Sequence, residues 1–162
     1  METYADSERE LLRHTIAALA YRAEKVLRNV PAHIPKFRAA EGARTPVEIL
    51  AHMGDLMEWA LWLAQGKHVW HDTPPAEWDA EAARFFESLR LFDQFISSDV
   101  EPGAPAGKLF QGPVADALTH VGQIALLRRL AGAPVRGENY FRAEIVPGRV
   151  GADQSARRVE FG

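Results

Sequence analysis

The chain has 162 residues, 47% apolar and 25% charged, the proportions of an ordinary globular protein with enough length to bury a core of its own. Its net charge is -3, and its basic residues alternate with acids in "SERELLR" and "EAARFFESLR", which excludes a phosphate-tracking face and with it nucleic acid as the expected partner. The absence of cysteine excludes disulfides, thiolate metal ligands and a cysteine nucleophile.

The amino terminus, "METYADSERELLRH", is acidic and polar where a signal peptide needs basic residues and then an apolar run. No apolar stretch approaches the ~20 residues that span a bilayer. Cytoplasmic location without membrane contact is the expectation, and residues 1–162 read as a single domain.

Four segments carry a helical period. The first is expected to begin at Ser7, where S-E-R-E offers a capping box with Glu10, and it places Leu12, Ile16, Leu19, Ala23 and Val26 on one face. The prolines of "NVPAHIPKFRAAEGAR" forbid its continuation. The second starts at Thr45, where T-P-V-E combines a cap hydroxyl, a proline at the first helical position and Glu48 at the third, and it runs to Gly66. Its apolar face is Leu50, Met53, Met57, Ala60, Leu61 and Ala64.

After "KHVWHDTPP", a third helix starts near Trp78 or Asp79, with Ala82, Phe85, Phe86, Leu89, Phe92 and Ile96 on one side. The fourth is expected to open at Gly112-Pro113 and to close at Gly132, with Pro134 beyond it. Residues 133–162 show no helical period, although "YFRAEIV" offers a short extended piece, and this tail is expected to lie across the helices. The fold class is therefore all-α, a four-helix bundle with an irregular C-terminal tail. The connections on either side of the middle pair of helices are long for hairpins, so at least one is expected to cross the bundle.

Advancing about 100° per residue along the fourth helix puts Asp116, His120, Gln123 and Leu127 in one stripe. The remaining surface is mostly apolar, so the stripe is expected to face inward. A buried carboxylate must be neutralised, paired or coordinated to a metal. His120 alone could pair with it, leaving an ordinary polar network. A divalent metal would satisfy both groups and would need a third ligand, for which His52 on the shoulder of the second helix is the candidate.

The other histidines carry less. His68 and His71 form a second pair in a wet loop and read as surface residues. His14 reads as a boundary residue, and His33, between two prolines, as exposed. Trp59, Trp62, Trp70 and Trp78 gather around the end of the second helix, as packing or as the rim of a small-molecule pocket. There is no H-E-x-x-H, G-x-S-x-G, P-loop or G-x-G-x-x-G motif, and no E-x-x-H repeat of the di-iron bundles.

"TPVEILAHMGDLMEWA" and, later, "ADALTHVGQIALLRRLAGAPV" resemble the DinB-like superfamily, with its YfiT-like and mycothiol-dependent relatives. The resemblance covers the second and fourth helices and the order of the chain. It implies a four-helix bundle, commonly a homodimer, with one divalent metal held by three side chains. His52 in "ILAHMGDL" matches the family's histidine on the second helix. In "DALTHVGQ", His120 and Gln123 match the later motif, Asp116 stands where a histidine is usual, and Val121 replaces an arginine.

By this resemblance His52, Asp116 and His120 are the metal ligands, and zinc or nickel, with iron(II) as a further option, is the cofactor. Metal-bound water or thiolate is the expected nucleophile, with Gln123 orienting a ligand. The implied activities on a small-molecule substrate are thiol S-transfer, with a low-molecular-weight thiol supplied from outside the chain, or hydrolysis. Glu48 and Asp55 flank His52 and are expected to point toward solvent. The competing expectation is a non-catalytic dimeric bundle in which the polar stripe sets packing register.

Overall fold

A computed structural model describes residues 4–162, so the first three residues of the polar amino-terminal stretch lie outside the described residues. The protein is all-α, with only a two-stranded ribbon besides its helices among the described residues. Helix α1 spans Tyr4–Leu27, α2 Pro46–Ala64 and α3 Trp78–Ile96. The fourth rod is composite: α4, Ala106–Leu109, passes through a π-helical turn at Phe110–Val114 into α5, Ala115–Leu130.

Around the bundle the neighbours are α1, α3, α2 and α5, the last closing back on α1, and among the described residues the backbones of α1 and α2, and of α3 and α5, stand diagonally across the core with no Cα atoms within 8 Å of each other. The α1 to α2 and α3 to α4 connections therefore run between opposite corners, although the second has only the residues 97–105. The first is anchored midway by Ile34, fully buried, and by the Val47 amide donating to the Pro35 carbonyl at 3.0 Å. The second passes over the end of α2, where the Gly103 amide donates to the Ala64 carbonyl at 2.7 Å. That crossing needs two glycines. Gly66 has φ +77°, and a Cβ on Gly103 would lie 2.4 Å from the Gly66 Cα.

The apolar faces predicted from periodicity meet in the core. Leu12, Ile16, Leu19, Ala23 and Val26 of α1 pack with Leu50, Met53, Met57 and Ala60 of α2, Phe85, Leu89, Phe92 and Ile96 of α3, and Ala117, Val121 and Ile124 of α5. Each of the larger side chains contributes about 1.5–3 kcal/mol by leaving water. Among the described residues, no helix is long and apolar enough to cross a membrane.

Two predicted helix starts need correction. Ser7 does not cap the first helix, because α1 already includes Tyr4, Ala5 and Asp6. Pro113 does not open the last one, since the rod begins at Ala106 and Pro113 lies inside it. In an α-helical ladder its ring would clash with the carbonyl four residues earlier. The π-turn widens the backbone there, and the Ala115 amide reaches the Phe110 carbonyl five residues back. By contrast, the capping box at Thr45 is present in full: the Thr45 hydroxyl accepts from the Glu48 amide, and the Glu48 carboxylate accepts from the Thr45 amide at 2.6 Å. The third helix starts at Trp78, as the sequence suggests.

The tail does lie on the helices, with Tyr140 edge-on to Tyr21 at 6.2 Å between ring centroids, but "YFRAEIV" is not its extended piece. Tyr140–Arg142 form a 3-10 turn, and the extended pieces are β1, Gly137–Glu138, and β2, Glu160–Phe161, paired antiparallel. Glu138 carries the attachment. Its buried carboxylate accepts from the Tyr21 hydroxyl and from Lys25 at 2.8 Å, with Arg157 at 3.6 Å. Arg157 in turn pairs with Glu24, and Lys25 also meets Glu160 at 2.9 Å. The Glu160 carboxyl is held below its ordinary 4.5, chiefly by the hydrogen bond from Lys25.

Two outcomes follow for stability. Thr45→Ala removes a cap and is expected to cost ~1 kcal/mol in denaturant unfolding, with the fold retained. Glu138→Ala leaves the buried Tyr21 hydroxyl without its acceptor and takes one of two carboxylates from each of Lys25 and Arg157, which keep Glu160 and Glu24; a loss of roughly 1–3 kcal/mol is expected, together with earlier proteolysis of residues 133–162.

Candidate metal centre

Three side chains from two non-sequential helices converge where α2 meets α5. His52 Nε2 lies 3.6 Å from Asp116 Oδ2, and His120 Nε2 lies 3.4 Å from Asp116 Oδ1. The two imidazoles meet edge to face with centroids 4.9 Å apart. One ligand atom from each residue falls within 4.8 Å of the others, so His52, Asp116 and His120 could hold a metal ion.

An N–H···O hydrogen bond closes to about 2.7–3.2 Å, and neither imidazole-carboxylate contact does so. A tetrahedron with arms of about 2.0–2.1 Å has edges of roughly 3.4 Å; His120 Nε2 stands at that separation from one Asp116 oxygen, and His52 Nε2 lies 3.6 Å from the other. The donor set fits a divalent ion.

The expected inward stripe is only partly so. His120 is buried, but Asp116 has 47% of its side chain exposed and Gln123 is exposed as well. The stripe lies along the seam between α5 and α2, so Asp116 meets water and needs no buried partner to be ionised. The argument that burial forces Asp116 to find a cation is therefore overturned, and geometry takes its place.

Gln123 stands where the sequence put it, one turn beyond His120. His120 Nδ1 lies 2.7 Å from Gln123 Oε1. An amide oxygen only accepts, so Nδ1 donates to it and Nε2 is the ring nitrogen that faces Asp116. His52 is held neutral by its surroundings: burial lowers its pKa below 6.5, the charges of His120 and Arg44 add to this, and Asp116 only partly offsets them. Neutral imidazole is the form that binds metal.

Glu48, His52 and Asp55 fall on one face of α2 and floor a cavity of about 380 Å³. Arg38, Gly42, Ala43 and Arg44 wall one side; Asp72, Thr73, Pro74 and Pro75 wall the other. Asp55 does not point to solvent as expected. It is buried, bound to Arg84 at 2.9 Å, and its second oxygen accepts from the Thr73 amide at 3.0 Å. Glu48 is half-buried and engaged in the cap.

The aromatic cluster divides. Trp70 stands edge-on to His52 at 5.6 Å and to Trp59 at 5.7 Å, and its indole donates to Asp72 at 3.2 Å. The buried Trp59 indole nitrogen has no hydrogen-bond partner among the described residues. Trp78 belongs elsewhere: it packs against the end of α1 and donates to the Leu27 carbonyl. His68 and His71 are exposed, His68 beside the Trp59 ring. His14 and His33 are also exposed, and His33 lies 3.0 Å from the Ala131 carbonyl.

What sequence reasoning missed is Arg84. It donates to Asp55, Glu58 and Glu81, and to the Ala51 carbonyl at 2.6 Å. Nothing in the spacing of α3 distinguishes Arg84 from a surface arginine. A signal existed on the other helix: Gly54 sits in the middle of α2, and a Cβ there would lie 2.7 Å from the Arg84 guanidinium carbon.

Compared with known proteins, the chain matches no family model, no curated protein and no solved structure.

Proposed function

We propose that this protein is a DinB-like metalloenzyme, with one divalent ion held by His52, Asp116 and His120 and used for thiol S-transfer or hydrolysis of a small substrate. The observation that carries the reading is the convergence of His52, Asp116 and His120, one ligand atom from each lying within 4.8 Å of the others. Two imidazoles and a carboxylate suit zinc or nickel, with iron(II) also accommodated. The four-helix ring and the placement of His52 opposite the Asp116 to His120 turn support the family reading.

When bound, the ion would supply Lewis acidity to a substrate oxygen or sulfur. The chain's own contribution is positional. Gln123 fixes the His120 tautomer, Trp70 abuts one side of His52, and the cavity floored by α2 gives a small molecule a place beside the centre. A thiol for S-transfer would come from a second substrate, since the chain has no cysteine. A homodimer belongs to the same reading, and exposed Leu11 and Phe110, which line one apolar groove, are residues that pairing would cover.

The alternative, a polar stripe that merely fixes packing register, is weakened by the exposure of Asp116 and Gln123. Residues in water do little to select a core arrangement.

Untagged protein stripped with a chelator and reloaded is expected to take up one equivalent of zinc or nickel, read by elemental analysis after desalting. His120→Ala and Asp116→Ala should lose that uptake while the far-ultraviolet spectrum keeps its helix content; a wild type that stays metal-free would sink the reading. Gln123→Ala is expected to bind 10–100-fold more weakly by competition with a chromophoric chelator, because the ligand is kept and only its orientation is lost. Proton competition at His52 should begin below pH 6.5, since its folded pKa is lowered, so affinity falls on acidification and not on going alkaline.

A further inference from the structure

The cavity beside His52 has a charge pattern of its own. Its floor and walls carry three carboxylates, two guanidiniums and one imidazole: Glu48, Asp55, Asp72, Arg38, Arg44 and His52. Most are already engaged within the chain. Glu48 binds the Thr45 amide and lies 3.6 Å from Arg38, while Arg38 also donates to the Ala43 carbonyl. Asp55 binds Arg84 and the Thr73 amide. Asp72 accepts from the Trp70 indole.

Arg44 is different. Among the described residues it makes no hydrogen bond or ion pair, although it lines the same cavity as His52 and its charge is felt there. An arginine that faces a cavity with all its donors free can present two parallel N–H groups to a planar carboxylate. Nothing in the fold needs Arg44 for packing, since it is exposed.

We propose that this cavity is the substrate subsite and that Arg44 binds a carboxylate on the substrate, which places the adjoining part of the molecule beside His52. The proposal rests on the triad as the reactive centre and names the substrate class, a small carboxylic acid. One free guanidinium matches a singly charged, planar group. A phosphoryl dianion would call for more cations than Arg44 alone, because Arg38 is already paired. At about 380 Å³ the cavity admits a molecule of modest size.

The test is calorimetric titration of benzoate, its neutral analogue benzamide, and inorganic phosphate into zinc-loaded and metal-free protein. Benzoate is expected to bind at least 10-fold more tightly than either of the others. Arg44→Ala should weaken benzoate 10-fold or more with zinc content unchanged, Arg44→Lys should recover part of the loss, and Arg90→Ala, a surface charge change elsewhere, should have no effect. Equal binding of benzoate and benzamide, tighter binding of phosphate, or benzoate binding indifferent to Arg44→Ala would each overturn the proposal. So would absence of benzoate binding to the wild type. If the protein takes up no zinc, the metal reading fails by itself, and the same comparisons on metal-free protein still decide whether Arg44 binds the carboxylate.

Discussion

Arg84 reaches from α3 onto α2 at Gly54, a position where α2 has no side chain, and lies against the helix backbone. Burial works against its charge, yet hydrogen bonds to Glu58, Glu81 and Asp55 outweigh that and raise its pKa. Two of those acids, Asp55 and Glu81, are themselves buried and would be costly to leave unpaired. They use their remaining oxygens on the backbone of the α2 to α3 connection, Asp55 on Thr73 and Glu81 on Ala76. One cation therefore joins two helices and the loop between them. That loop also carries Trp70, which stands against His52.

The candidate centre thus depends on two kinds of order. The spacing of Asp116, His120 and Gln123 is local, fixed by α5 itself once that helix forms. The approach of His52 is not local, because α2 and α5 meet only when the diagonal connections have placed them side by side. Gln123 can set the tautomer of His120 within one helix turn. The Arg84 network orders the loop that borders His52 by bonds spanning tens of residues.

This division also explains how much could be read from the sequence. Helix faces were legible, because burying Ile16, Leu50, Phe85 or Ile124 demands a 3.6-residue repeat that the chain displays. The Thr45 cap was legible because its chemistry lies within four residues. His52, Asp116 and His120 do come together, but not because burial forces it: Asp116 lies on a seam open to water. Whether a stripe faces the core or a rim depends on which neighbour it meets, and a single helix does not encode that. Arg84 and the Glu138 cluster escaped notice for the same reason, since their partners are remote in the chain. The early start of the last rod was missed because proline is read as a helix opener unless the backbone widens around it.

That widened turn leaves the fourth rod with two angular phases. Leu109 and Val114, both fully buried, face the core although five positions separate them, whereas the buried residues from Ala117 onward return at three and four. The rod behaves like a shaft with a keyed coupling at Phe110–Val114. Upstream of the coupling its orientation is set by the apolar contacts of Leu109; downstream it is set by the core contacts of Ala117, Val121 and Ile124. Asp116 is the first polar side chain past the joint, so its bearing toward His52 follows the downstream half. The upstream half can carry the chain around the end of the bundle without turning the carboxylate away.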